Sequence, residues 1–158
     1  MIEYSGLNTH KPVHIGHLRN IVLGACLTRL TRASGVRVIA ADFVNDLGLH
    51  VAQWLWCYQK FHANEKPGAD VGDFMMRLYV EAVRELEARP EYDAEVREIL
   101  KKLESGESAT RRLWKKTRQW SLKEFARVHQ ELDAKFDVFY AESDFISERR
   151  KVVDRLVT

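Results

Sequence analysis

The sequence predicts an α/β fold, a parallel sheet interrupted by a mainly helical insertion. Three observations carry that reading: a strand–turn–helix–strand pattern within residues 1–44, sustained helical periodicity over residues 51–133, and an alternating apolar segment at residues 136–142. The first of these makes one βαβ unit, whose crossover connection favours parallel pairing.

Residues 1–5 read as a short strand. From Gly16 the apolar positions Leu18, Ile21, Val22, Ala25, Cys26, Leu30 and Ala33 recur at helical spacing. Gly35 is placed to end that helix, and Cys26 falls on its expected buried stripe as a small apolar filler. Residues 36–44 are rich in β-branched and apolar side chains and read as a buried second strand. Residues 51–62 continue as an amphipathic helix through Val51, Trp54, Leu55, Tyr58 and Phe61, and residues 64–70 form a loop. Helices are expected over 71–88, 92–104 and 107–133, broken at Arg89-Pro90 and Ser105-Gly106. A strand over 136–142 and a helix from about Ser147 close the chain. The division expected is residues 1–50 for the βαβ half, 51–133 for the insertion and 134–158 for the return strand and helix.

Composition narrows the classes. At 158 residues with 46% hydrophobic content, the chain has the material for one domain with a real core. A net charge of +2 from 25 basic and 23 acidic side chains neither demands a polyanionic partner nor excludes one. Cys26 and Cys57 have no C-x-x-C spacing, so no disulfide framework or zinc knuckle is suggested and no metal ligand is expected. A reducing, cytoplasmic setting fits. No apolar run reaches a membrane span, and Met1-Ile2-Glu3 lacks the basic start of a secretory signal.

The densest polar chemistry lies in residues 8–20, NTHKPVHIGHLRN, at the turn after the first strand and the first turn of the helix. In an open α/β sheet that is the carboxyl-end crevice where ligands bind. The helix N-terminus presents unpaired N–H groups and a positive dipole end to an anion. His14 and His17 flank Gly16, each able to donate a ring N–H to a phosphate oxygen, and Lys11 adds a compact positive charge. These parts suit stabilisation of charge that grows on a phosphate during nucleotidyl transfer. There is no Walker-type loop and no G-x-G-x-x-G.

His14-Ile15-Gly16-His17 is the signature tetrapeptide of class I aminoacyl-tRNA synthetases. The wider run, Glu3-Tyr4-Ser5-Gly6-Leu7-Asn8, then Lys11-Pro12-Val13-His14-Ile15-Gly16-His17-Leu18-Arg19, then Gly24, resembles the arginyl-tRNA synthetases. Val44-Asn45-Asp46-Leu47-Gly48 resembles the family's N-D-x-G segment, and Leu113-Trp114-Lys115-Lys116 and residues 136–142 are similar to its insertion and the strand after it. The resemblance implies a Rossmann-like catalytic domain that activates arginine with ATP, accompanied by Mg2+, and transfers it to tRNA(Arg). By position, Glu3 and Asn8 are expected to contact arginine, Glu3 through a charge-assisted pair. Asp46 and, more remotely, His50 join that set. His14, Gly16, His17 and Lys11 are expected to bind ATP, with His14, His17 and Lys11 as the catalytic groups. The chain departs from the family pattern at Gly6-Leu7, where serine and proline are commoner, and at His10, where a small or amide residue is usual.

No Lys-Met-Ser-Lys-Ser-type loop occurs in the sequence, and no anticodon-binding domain is recognisable. The chain is therefore expected to be the first half of a catalytic domain with its insertion, inactive by itself. Blander readings stand beside this one. A metal site from His10, His14, His17 and His50 is disfavoured because no supporting carboxylate is apparent. The tryptophans read as core or interface aromatics, and Arg111, Arg112, Lys115, Lys116 and Arg118 as a solvated helix face. Two other classes of function remain: a small adenylyltransferase acting on a different acceptor, and a non-catalytic module that binds tRNA or a partner.

Overall fold

A computed structural model describes residues 1–146, 148, 155 and 156. The helix expected from Ser147 falls largely outside the described residues. The chain divides into two compact units. The first comprises residues 1–7, 14–46 and 129–158, and the second residues 8–13 and 47–128.

The first unit is built on three parallel strands in the order β1-β2-β3: β1 (Ile2–Glu3), β2 (Ala40–Val44) and β3 (Val138–Ala141). Ile2 pairs with Ala40 on one side of β2, and Ala41 with Val138 on the other. Parallel strands need crossover connections. Helix α1 (Ile15–Ala33) supplies the first, ending at Ser34 with Gly35 just beyond in the left-handed region at φ 83°. Residues 36–39, expected as strand, lie outside it. Their neighbour β1 is only two residues long, and Val36 and Ile39 are exposed.

The face that α1 buries differs from the expected stripe. His17, Ile21, Gly24, Ala25 and Thr28 are buried, whereas Cys26, Val22 and Leu30 are exposed. Cys26 is therefore a surface thiol rather than a core filler. The phase is set at Gly24: a Cβ there would lie 2.2 Å from the Cβ of Tyr4, so only glycine lets the helix come this close to the chain leaving β1. At the far edge, Asp137 accepts from the backbone N–H of Ala40 at 2.7 Å and from Arg32 at 2.6 Å, which fixes the entry into β3.

The second unit is helical: α2 (Leu49–Phe61), α3 (Val71–Ala88), α4 (Asp93–Ser105) and most of α5 (Ser108–Glu131). α2 is its hub. Val51, Ala52, Trp54, Leu55, Trp56, Cys57 and Tyr58 are all buried, a run apolar on nearly every side, as suits a helix wrapped by neighbours. It packs against α3 and α4, with Ala82 and Val96 meeting Trp56 and Cys57. The indole N–H groups find partners, Trp54 on the Met75 carbonyl at 3.2 Å and Trp56 on Glu95 at 2.7 Å. Asp70 caps α3 by accepting from the Asp73 N–H at 2.8 Å, and Pro90 follows its end. Trp54, Trp56 and Trp114 are core residues as expected, while Arg112, Lys115 and Lys116 of the basic run are exposed. No described helix is long and apolar enough to cross a membrane.

Candidate active site

His14 is the N-cap of α1, with extended backbone (φ −129°, ψ 170°). Its Nδ1 accepts from the Gly16 N–H at 3.2 Å, and the Nδ1 of His17 accepts from the His14 N–H at 3.3 Å. The two histidines thus form a reciprocal capping box, a role usually filled by Ser or Thr paired with Glu or Gln. The chemical consequence follows from the tautomer. A ring whose Nδ1 accepts a backbone N–H carries its proton on Nε2. Both imidazoles are thereby fixed as Nε2–H donors, with ring centroids 3.8 Å apart. The first turn of α1 holds no acidic side chain that would oppose an anion. His14 is exposed and His17 is 7% exposed. Gly16 has its own steric reason, since a Cβ there would sit 3.0 Å from Cε1 of His14. A side chain at position 16 would press on the capping ring, which would have to give by a few tenths of an ångström.

The chain leaving β1 enters a buried polar network. Ser5 and Gly6 adopt left-handed backbone, φ 81° and 66°, a conformation that costs a non-glycine residue roughly 1 kcal/mol or more. Ser5 Oγ lies 2.9 Å from Nε2 of His129, the Gly6 N–H donates to Asp42 Oδ1 at 3.4 Å, and the same His129 nitrogen is 3.9 Å from Asp42 Oδ2. Burial pushes the Asp42 carboxyl up to about 6, against the Gly6 N–H and Ser5 hydroxyl that favour its ionised form. Burial also lowers His129 to about 4. The network clamps the backbone immediately after Glu3. Asp42 carried a sequence signal, an acid inside an apolar strand; His129, far along the chain on α5, carried none.

Glu3 itself is exposed and borders a groove of about 320 Å³ lined also by Ser5, Gly6, Asn20, Leu23 and Leu27. Neither signature histidine lines that groove. Asp46 is fully buried, its two oxygens accepting from the backbone N–H of Ser143 at 2.9 Å and from the Ser143 hydroxyl at 2.7 Å.

The remaining expected residues belong to the helical unit. Lys11 Nζ stands 4.9 Å over the Tyr79 ring, a cation–π contact that holds the charge without neutralising it. Asn8 is half-buried. His50 presents a buried Nε2 with no hydrogen-bond partner, and burial, then the Lys11 charge, lowers it to about 4. An orphaned polar atom of this kind is uncommon in a folded chain and marks a position where a ligand group or water is wanted. His10, unusual for the pattern, is entirely buried between Thr9 and Thr117.

Residues 1–156 match the family model of the class I (R) tRNA synthetase catalytic domain. The chain belongs to the arginyl-tRNA synthetase catalytic-domain family. Among curated relatives, the arginine–tRNA ligase of Bdellovibrio bacteriovorus is 36% identical over 162 residues, covering 99% of this chain and 28% of that protein. That of Borrelia hermsii is 34% identical over 160 residues, covering 97% and 27%. The chain thus spans under a third of the length of these relatives. The solved Thermus thermophilus arginyl-tRNA synthetase aligns with a TM-score of 0.71 at 28% identity, over 91% of this chain and 23% of that one. The Plasmodium falciparum enzyme aligns with a TM-score of 0.74 at 22% identity, over 98% and 26%, a likeness of fold. The fold is the Rossmann-like α/β class expected of this family, with three parallel strands and a largely helical remainder among the described residues.

Proposed function

We propose that this chain supplies the signature half of an arginine–tRNA ligase active site, in which arginine attacks the α-phosphate of ATP. The arginine carboxylate oxygen forms the new bond to phosphorus, pyrophosphate leaves, and arginyl-adenylate is then consumed by tRNA(Arg). The observation that carries the reading is the histidine capping box. It holds two Nε2–H donors at the N-terminus of α1, where donors preorganised for growing phosphate charge act most strongly. His14 and His17 donate to the phosphate oxygens, Gly16 keeps the cap intact, and Lys11 contributes a positive charge. Mg2+ would accompany the ATP phosphates and help to neutralise their charge.

Glu3 and Asn8 are the arginine-facing groups, Glu3 through a charge-assisted contact with guanidinium or ammonium. His50, with its orphaned Nε2, and Asp46, buried and held by Ser143, complete that set. Residues 1–50 serve as the signature-bearing part, 51–133 as the insertion and 134–158 as the return to the sheet, in a cytoplasmic protein.

The test is amino-acid-dependent ATP–pyrophosphate exchange by the gene product carrying these residues. Exchange is expected with arginine and not with lysine or citrulline. Exchange that ignores arginine would instead support a small adenylyltransferase with another acceptor. Binding of tRNA without any exchange would support a non-catalytic module.

A further inference from the structure

We propose that the helical unit binds a zinc ion between α2 and α3, through Cys57 Sγ, His62 Nε2 and the Glu81 carboxylate. One ligand atom from each of these residues lies within 4.8 Å of the others. Tetrahedral zinc with sulfur at about 2.3 Å and nitrogen or oxygen at about 2.0–2.1 Å needs ligand atoms about 3.3–3.6 Å apart. His62 Nε2 already lies 3.0 Å from both Glu81 oxygens. Side-chain shifts of about an ångström therefore close the site without moving a helix.

The surroundings orient the His62 ring for a metal. His62 Nδ1 is 2.7 Å from Glu65 Oε2, the carboxylate–histidine arrangement that fixes the ring with Nε2 toward a metal and raises its basicity. Glu65 is itself held by Arg77, and the turn from His62 to Glu65 is braced by the Tyr58 hydroxyl donating to the Glu65 carbonyl at 2.8 Å. Glu85, one helical turn beyond Glu81, is turned to Arg89 at 2.9 Å. Cys57 is completely buried, and a thiolate, an imidazole and a carboxylate form a donor set suited to zinc rather than to calcium or magnesium. Three protein ligands leave a fourth position for water. On binding, zinc displaces the thiol proton and any proton on His62 Nε2 to solvent; no electron moves. The spacing C-x4-H followed nineteen residues later by Glu matches no zinc signature. It is the packing of α3 on α2 that gathers the ligands.

The experiment uses Co2+ as a spectroscopic stand-in. Metal-stripped protein is titrated with Co2+, the near-ultraviolet thiolate-to-metal band is followed, and Zn2+ is added to displace it. One equivalent is expected, with the band lost in Cys57→Ala, whose small apolar side chain suits the buried position, and retained in Cys26→Ser. Glu65→Gln, which weakens the group orienting His62 and its pairing with Arg77 but touches no ligand atom, should weaken binding roughly 10–100-fold. His62→Gln should do at least as much, and it keeps the proposal testable should Cys57→Ala fail to fold. No band in the wild type, a band that survives Cys57→Ala, or affinity unchanged in both Glu65→Gln and His62→Gln would each overturn the assignment. None of these readouts depends on arginine activation.

Discussion

His10 occupies a position with no access to solvent, its Nδ1 3.0 Å from the Thr9 hydroxyl and its Nε2 2.7 Å from the Thr117 hydroxyl. Its backbone N–H donates to Ser121 at 3.0 Å, and its ring packs on Trp54. Burial, with smaller contributions from His50 and Arg118, lowers its pKa from 6.5 to about 3. The unfolded chain therefore takes up a proton at a pH where the folded one does not. Stability from this neutral ring is complete above 6.5 and is lost as pH falls from 6.5 through about 3. His129 and His50, each lowered to about 4, act in the same direction. Asp42 opposes them. Its pKa is raised to about 6, so its contribution is present below the unfolded carboxylate value and lost as pH rises through about 6. With three histidines against one aspartate, the urea midpoint should fall on acidification from about pH 7 to about pH 4. His10→Gln should lower the midpoint at neutral pH and flatten that dependence. A slope as steep in His10→Gln as in wild type would show that the buried ring does not titrate on unfolding.

At the scale of the element, α1 shows what periodicity can and cannot tell. Apolar residues occur on two flanks of this helix, so spacing identified a helix but left its rotation open. The contact of Gly24 with Tyr4 chooses the rotation, putting Ile21, Ala25 and Thr28 inside and Cys26 outside. Gly24→Ala would ordinarily stabilise a helix interior. Here it should destabilise by about 1–3 kcal/mol, the usual cost of overpacking, because the obstructing atom is a Cβ and cannot rotate away. Gly68→Ala, with nothing within 4 Å of the added carbon, is the control. Urea unfolding that finds the two variants equal would mean that α1 does not lie on β1 as described. Elsewhere the punctuation was decisive: the helix expected over 71–88 is Val71–Ala88, bounded by the Asp70 cap and Pro90. Residues 36–39 misled because β-branched character marks a strand only where a neighbouring strand is there to pair, and β1 contributes two residues.

For the molecule as a whole, the candidate residues adjacent in sequence are shared between two units, His14, Gly16, His17, Glu3 and Asp46 in one, Asn8, Lys11 and His50 in the other. The motif was legible because its residues are contiguous and chemically unusual. The Ser5–His129–Asp42 network was not, because residues 124 apart meet only through the return of α5 to the sheet. Neither was the reciprocal capping, in which the signature histidines hold each other's backbone as Nε2–H donors. That last feature is what the proposed chemistry rests on. The most direct measurement is arginine-dependent ATP–pyrophosphate exchange in His17→Ala, in the gene product carrying these residues, with arginine affinity measured in parallel. The account predicts a fall in the exchange rate of about 10²-fold or more, the loss typical when one transition-state donor is removed, with arginine affinity little changed. An exchange rate near wild type, or a collapse in arginine affinity with the chemical step intact, would contradict it.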